Sequence, residues 1–413
     1  MSCKIAADFD EVVDRRNDPF SYSSKWSRTK GTAEHVGVSH ITDEHIALFV
    51  ADMDFRCAQP ILDALHKTVD HGIFGYSSTD GCDAYYQAIC GWFERRDGWS
   101  IDPARVVYVP GTVKALSLAV QAFTEPGDGV IIQRPVYPPF TGAVEGSGRT
   151  VLNNQLVRRT AADEQGDLYY EMDFDGLEQL AARDDAKMLI LCNPHNPVGR
   201  TWTADELRRL ADICTRHNVL IVADEIHGDL MRVGQTFTHL VQAAPEARAI
   251  TCTAVNKTFN LAGLAATNLV FSNAQDQERF CAVLGHADPS PFAISAVIAA
   301  YNEGEEWLEQ CRCYLDDTID AVLGFFAQRM PDVGVRRPEG TYILWFDFES
   351  RCRTLGIDAD ELHRRIYEDA KVLLQDGSNF DPQGGAFFQR MCIPSARSVV
   401  MEACERIAGV LEA

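Results

Sequence analysis

Lys257 stands in Thr253-Ala-Val-Asn-Lys-Thr-Phe-Asn260, directly after an apolar run. An amine there has two readings. It is a solvated surface lysine, as most lysines are, or a nucleophile that forms a Schiff base with an aldehyde cofactor. Asp224 ends another apolar run in Val222-Ala-Asp-Glu-Ile-His227. Its carboxylate therefore lies at the C-terminal edge of a strand, where ligands bind in open α/β sheets. Three roles remain open for it: a helix N-cap, one member of a metal cluster with Glu225, His227 and Asp229, or the partner that keeps a pyridinium nitrogen protonated. No second ligand group with metal spacing occurs elsewhere, so no metal is expected.

Asn196 belongs to Cys192-Asn-Pro-His-Asn-Pro-Val-Gly199, again just after an apolar run. Two Asn-Pro pairs and a glycine make a rigid turn, and its position makes Asn196 a donor into the same crevice. Pro110-Gly-Thr-Val-Lys-Ala-Leu116 joins a strand to a helix. Such a junction offers free backbone N–H groups and a positive helix end to a phosphate. It is neither a Walker nor a dinucleotide glycine pattern.

These residues need strands that end together. Apolar runs at Val106–Val109, Val130–Ile132, Met188–Cys192, Val219–Ala223, Ile250–Cys252 and Asn268–Phe271 read as buried strands. Helical patterns at Val113–Phe123 and Ala204–His217 alternate with them, the second opened by Thr203 and Glu206 as a capping box. The alternation predicts an α/β fold with a mostly parallel sheet between helices. The polar segment 1–45 and the later pattern differ: helices over Phe292–Tyr301, Trp307–Arg329, Ala359–Glu368 and Ser398–Leu411, with alternating Tyr342–Phe348 among them. We expect a large domain over 46–290 and a smaller α+β domain built from 1–45 and 291–413.

Composition limits the function classes. The chain has 413 residues and a formal net charge of −22. So acidic a surface repels phosphate backbones, which argues against nucleic-acid binding. No apolar run approaches the ~20 residues of a membrane helix, and the N-terminus turns acidic before a signal-peptide core forms. The 13 cysteines are scattered and contain no CxxC pair; free thiols and a cytoplasmic location are the expectation.

Gly-Thr-Val at 111–113, Pro-Val-Tyr at 135–137, the 193–199 turn, Asp-Glu-Ile-His at 224–227, Asn-Lys-Thr-Phe-Asn at 256–260 and Gln-Arg-Met at 389–391 occur in one order. That series resembles the fold-type I pyridoxal-phosphate enzymes, the class I/II aminotransferase superfamily. Lys25-Trp26, Val50-Ala-Asp-Met-Asp-Phe55, His71-Gly-Ile-Phe-Gly-Tyr76 and Glu339-Gly-Thr-Tyr-Ile-Leu-Trp-Phe-Asp347 resemble its cystathionine β-lyase, or carbon–sulfur lyase, branch.

The resemblance implies pyridoxal 5'-phosphate as cofactor, with Lys257 as its Schiff-base lysine and later the base at the substrate Cα. Asp224 becomes the partner of the ring nitrogen and Asn196 the donor to the phenolate oxygen. His227 falls where many relatives carry a tyrosine that shares that task; a hydrogen-bonded supporting histidine is the equal alternative. Tyr137 stacks on the ring and borders the substrate. Thr112 and Val113 form the phosphate cup, with Thr253 and Asn256 as further donors. Tyr76 reaches the phosphate of a neighbouring subunit, which implies a homodimer. Arg390 grips the substrate α-carboxylate through its planar fork.

Two positions depart from the superfamily. Ala265 replaces an arginine that many members place eight residues after the lysine, an absence the lyase branch shares. Cys392 replaces the usual asparagine two residues after the carboxylate arginine. The expected activity is β-elimination of cystathionine- or cysteine-type amino acids to pyruvate, ammonia and a thiol. An aminotransferase on the same residues is the alternative. A cofactor-bearing regulator that serves a protein partner is a third reading.

Overall fold

The chain is described from a computed structural model, over residues 7–159 and 168–412. Its centre is a seven-stranded sheet: β1 (Val106–Pro110), β2 (Gly129–Ile132), β3 (Thr150–Asn153), β4 (Ala186–Cys192), β5 (Leu220–Asp224), β6 (Ala249–Ala254) and β7 (Ala266–Phe271). The spatial order is β1-β7-β6-β5-β4-β2-β3. β7 runs antiparallel to both neighbours, and the other pairings are parallel.

Continuous apolar strands follow from burial on both faces. Leu189, Leu191, Ile221 and Ala223 pack into one core with the helix Ala204–Arg216. The intervening Met188, Ile190, Cys192 and Val222 pack into another with the helix Thr112–Phe123. The capping box at Thr203 and Glu206 is formed, with the Thr203 hydroxyl accepting from the Glu206 N–H. One strand of this sheet, β3, escapes the sequence pattern: Thr-Val-Leu-Asn is half polar because it is an edge strand, paired on one side only.

The later residues build a four-stranded antiparallel sheet from Gly334–Val335, Ile343–Asp347, Phe388–Cys392 and Gln375–Asp376. The expected helix 359–368 is α-helical only over Ala359–Arg364 and continues as a π-helical segment, Arg365–Asp369. Ile46–Ala47 pairs in parallel with Val372–Leu373. Pro291–Glu303 packs against Gln59–His71 and Asp83–Asp97. No helix among the described residues is long and apolar enough to cross a membrane. Among the described residues Cys313 departs from the expectation of free thiols, being disulfide-bonded, whereas Cys311 and the buried Cys392 are free.

Beside Asp224 the fold buries a second ionic group. Glu225 Oε2 lies 2.5 Å from His239 Nδ1, and Asp97 Oδ2 lies 3.1 Å from His239 Nε2. Glu225 Oε1 accepts from the Leu240 N–H at 2.8 Å. Burial acts to lower the His239 pKa, but the two carboxylates outweigh it and raise it to about 9. A raised histidine stabilises the fold below its unfolded pKa, ~6.5, and that contribution disappears as pH climbs through about 9. The thermal midpoint should therefore fall between those pH values. His239→Gln should flatten that slope, as read by calorimetry across the range; an equally steep slope in the variant contradicts the assignment.

Candidate active site

Three neighbouring strands end level with one another. Cys192 of β4 pairs with Asp224 of β5, and Asp224 pairs with Cys252 of β6. Beyond these ends lies a cavity of about 290 Å³. Lys257, Asp224, Asn196, His227, Tyr137, Thr112 and Val113 all line it.

Lys257 sits on a one-turn helix, Val255–Thr258, immediately after β6. Its Nζ donates to the Ala51 carbonyl at 2.6 Å. Burial is the largest influence on this amine and lowers its pKa, aided by the charge of Arg390 and opposed by Cys392, Asp52 and Asp224. A lowered lysine is one that can serve as a base near neutral pH. Asp224 is buried, and its carboxylate accepts one long bond, 3.4 Å from the Ile226 N–H. Burial pushes its pKa up to about 7. His227 is equally buried, its Nδ1 has no hydrogen-bond partner, and burial drives its pKa well below the ordinary value. Burial therefore favours its neutral imidazole form.

The 192–199 turn is held by Trp202, whose Nε1 donates to the Cys192 carbonyl at 2.9 Å. Asn196 Oδ1 accepts from Arg390 Nη1 at 3.2 Å, and Arg390 Nη2 donates to the Phe49 carbonyl at 2.6 Å. Arg390 thus stands behind Asn196, with its Nε buried and unpartnered and its guanidinium 4.9 Å from the Phe380 ring centre. It comes from strand Phe388–Cys392.

Three expected site residues do not line this cavity: Thr253, Tyr76 and Arg390, which stands behind Asn196. Thr253 faces the opposite side of β6 from Cys252, because side chains alternate along a strand. Its hydroxyl donates to the Asn268 carbonyl at 3.2 Å, so it is corrected from a phosphate donor to a sheet residue. Asn256 lines the cavity instead, with its Oδ1 buried and unpartnered. Tyr76 is fully exposed and does not line its own chain's cavity.

Lys114 lines the cavity but carried no role in the sequence pattern. A lysine in the first turn opposes the helix dipole. Its only sequence signal was its place in Pro-Gly-Thr-Val-Lys at a strand–helix junction.

The donor set fits pyridoxal phosphate. A buried carboxyl without a cation suits a protonated ring nitrogen. The first turn of Thr112–Phe123, with Lys114 and the Thr112 hydroxyl 2.9 Å from that of Thr267, suits a phosphate. Tyr137 supplies an aromatic wall. A doubly covered, mostly parallel sheet that brings these groups to one edge defines a pyridoxal-phosphate enzyme of fold type I.

Comparison with known proteins agrees. The profile of the family "Aminotransferase class I and II" matches residues 44–407, and the chain belongs to that family. It is 36% identical over 404 residues to cystathionine beta-lyase PatB of Bacillus subtilis (strain 168), covering 96% of this chain and 99% of that one. It superposes on a PLP-bound putative aminotransferase from Clostridium difficile 630 with a TM-score of 0.89 and 36% identity, covering 98% and 100% of the two chains. It superposes on the PLP-bound C-S lyase from Staphylococcus hominis with a TM-score of 0.88 and 27% identity, covering both chains in full.

Proposed function

We propose that this chain is a pyridoxal-phosphate carbon–sulfur β-lyase. It converts cystathionine- or S-alkylcysteine-type amino acids to pyruvate, ammonia and a thiol. The observation that carries the reading is buried Lys257 lining the cavity with the Arg390 fork just behind Asn196. Among the described residues the cavity lining contains no arginine, and Arg390 stands directly behind it. An aminotransferase for dicarboxylic substrates needs a second carboxylate clamp.

When bound, the pyridoxal ring withdraws electrons from the substrate Cα and makes its proton removable. This chain's residues do the rest. Lys257 Nζ would anchor the cofactor and take the substrate's Cα proton. Asp224 would keep the ring nitrogen protonated, and Asn196 and His227 would serve the cofactor's phenolate side. Tyr137 would supply the aromatic wall. Thr112, Val113, Lys114 and Asn256 would hold the phosphate where Ala265 offers no arginine. Arg390 grips the α-carboxylate.

The homodimer belongs to the same proposal. Ile73, Phe74 and Tyr76 are exposed apolar side chains on one segment, which suits burial against a second copy. Tyr76 then reaches the partner's phosphate. A fully active monomer in sedimentation contradicts this. The division into 46–290 and 1–45 with 291–413 is likewise proposed. The pairing of Ile46–Ala47 with Val372–Leu373 and the packing of Pro291–Glu303 on the early helices favour moving each edge by one element. A cytoplasmic location is consistent with the exposed acidity.

Arg390→Ala tests the fork. The carboxylate is held in ground and transition states alike, so KM should rise on the order of 10²-fold while kcat falls less. Arg390→Lys should recover little, because the planar fork is lost. For the reaction itself, initial rates with L-cystathionine and S-methylcysteine should exceed those with L-aspartate plus 2-oxoglutarate. The reverse order favours the aminotransferase.

A further inference from the structure

Segment 48–54 is a strap that ties several site groups together. It runs beside the end of strand Phe388–Cys392: the Cys392 N–H donates to the Leu48 carbonyl and the Asp54 N–H to the Pro394 carbonyl, both at 2.8 Å. Its alternate carbonyls each take a partner. The Phe49 carbonyl accepts from Arg390 at 2.6 Å and the Met53 carbonyl from Asn260 Nδ2 at 2.9 Å. Between them, the Ala51 carbonyl accepts from Lys257 Nζ at 2.6 Å and from Tyr342 Oη at 3.0 Å. The far end is fixed at Asp54, which accepts from buried Lys25 Nζ at 2.8 Å and from Trp26 Nε1 at 2.9 Å.

A carbonyl oxygen has two lone pairs. Tyr342 occupies one of them; its ring is fully buried and stands edge-on to His227, with centres 5.7 Å apart. One direction remains for the lysine. We propose that Tyr342 is the positioning residue of Lys257, acting through the Ala51 carbonyl. It holds that oxygen in place and takes up half its accepting capacity, so the amine is aimed without being held as a cation. The proposal rests on the reading of Lys257 as the proton carrier.

The amine faces Asp52 on the strap, Asp224 at the end of β5, His227 just after it, Arg390 and Cys392 on the 388–392 strand, and Tyr342. Of these, Tyr342 alone shares its acceptor. Removing the phenol hydroxyl makes the Ala51 carbonyl a stronger acceptor for an ammonium and shifts the balance toward the protonated amine.

Tyr342→Phe removes the O–H and keeps the ring. In the full-length holoenzyme, kcat for S-methylcysteine should fall about three- to tenfold at neutral pH with KM nearly unchanged. The limb of the kcat profile that reports lysine deprotonation should move to higher pH. A second readout needs no turnover. In the cofactor-free full chain, acetylation of Lys257 by acetic anhydride, followed by peptide mass spectrometry, should show its pH inflection displaced upward in the variant. Unmoved inflections overturn the proposal, whether or not kcat falls. Absence of lyase turnover in the wild-type protein would count against the function alone, since the labelling comparison does not depend on it.

Discussion

Lys257→Ala should lower β-elimination by at least about 10³-fold, the combined loss of a covalent anchor and a proton carrier. The warrant is positional. The amine projects from a one-turn helix into a buried cavity, where its pKa is lowered and Asp224 and Asn196 stand beside it. Among the described residues the other lysine that lines the cavity, Lys114, lies in the exposed first turn of Thr112–Phe123. The variant should still bind pyridoxal phosphate, but reversibly. After borohydride reduction, mass spectrometry should find the cofactor mass on the 253–260 peptide of the wild type and not on that of the variant. Appreciable turnover by the alanine variant would remove Lys257 from the chemistry.

A loss of about 10²- to 10³-fold in kcat is the expected result for Asp224→Asn, because a fixed charge facing developing charge is removed. The same substitution should have the opposite effect on the cofactor-free fold. Burial raises the Asp224 pKa to about 7. A carboxyl whose folded pKa lies above its unfolded value contributes stability below the unfolded value, ~3.9, and that contribution is lost as pH rises through about 7. At pH 8 the wild-type chain carries a buried charge that no cation hydrogen-bonds, whereas the amide carries none. Without cofactor the variant should therefore have the higher thermal midpoint at pH 8, and added cofactor should stabilise the wild type more. Equal midpoints in both states would show that Asp224 meets no cation on binding.

The sequence made much of this legible for a physical reason. Asp224, Asn196 and Lys257 follow buried strands, and continuous apolar runs mark such strands without help from tertiary context. Parallel strands that end level then bring residues 28 to 61 positions apart to one edge. What was not legible has its own causes. Thr253 entered through the family resemblance, but strand alternation turns its hydroxyl to the Asn268 carbonyl. The Ala51 carbonyl is a backbone group, and an alanine leaves no chemical signature. The Glu225–His239–Asp97 cluster joins residues 14 and 142 positions apart, at a strand end, a helix cap and a helix end, which share no periodic pattern. β3 is an edge strand whose half-polar sequence reads as loop.

The most direct test of the central claim is a stoichiometry. Purified protein with pyridoxal phosphate is incubated with L-cystathionine and no added keto acid, and pyruvate, ammonia and free thiol are measured together. The lyase reading predicts all three in equal amounts over many turnovers. Turnover that requires 2-oxoglutarate or pyruvate and releases no thiol would contradict it and make this chain an aminotransferase.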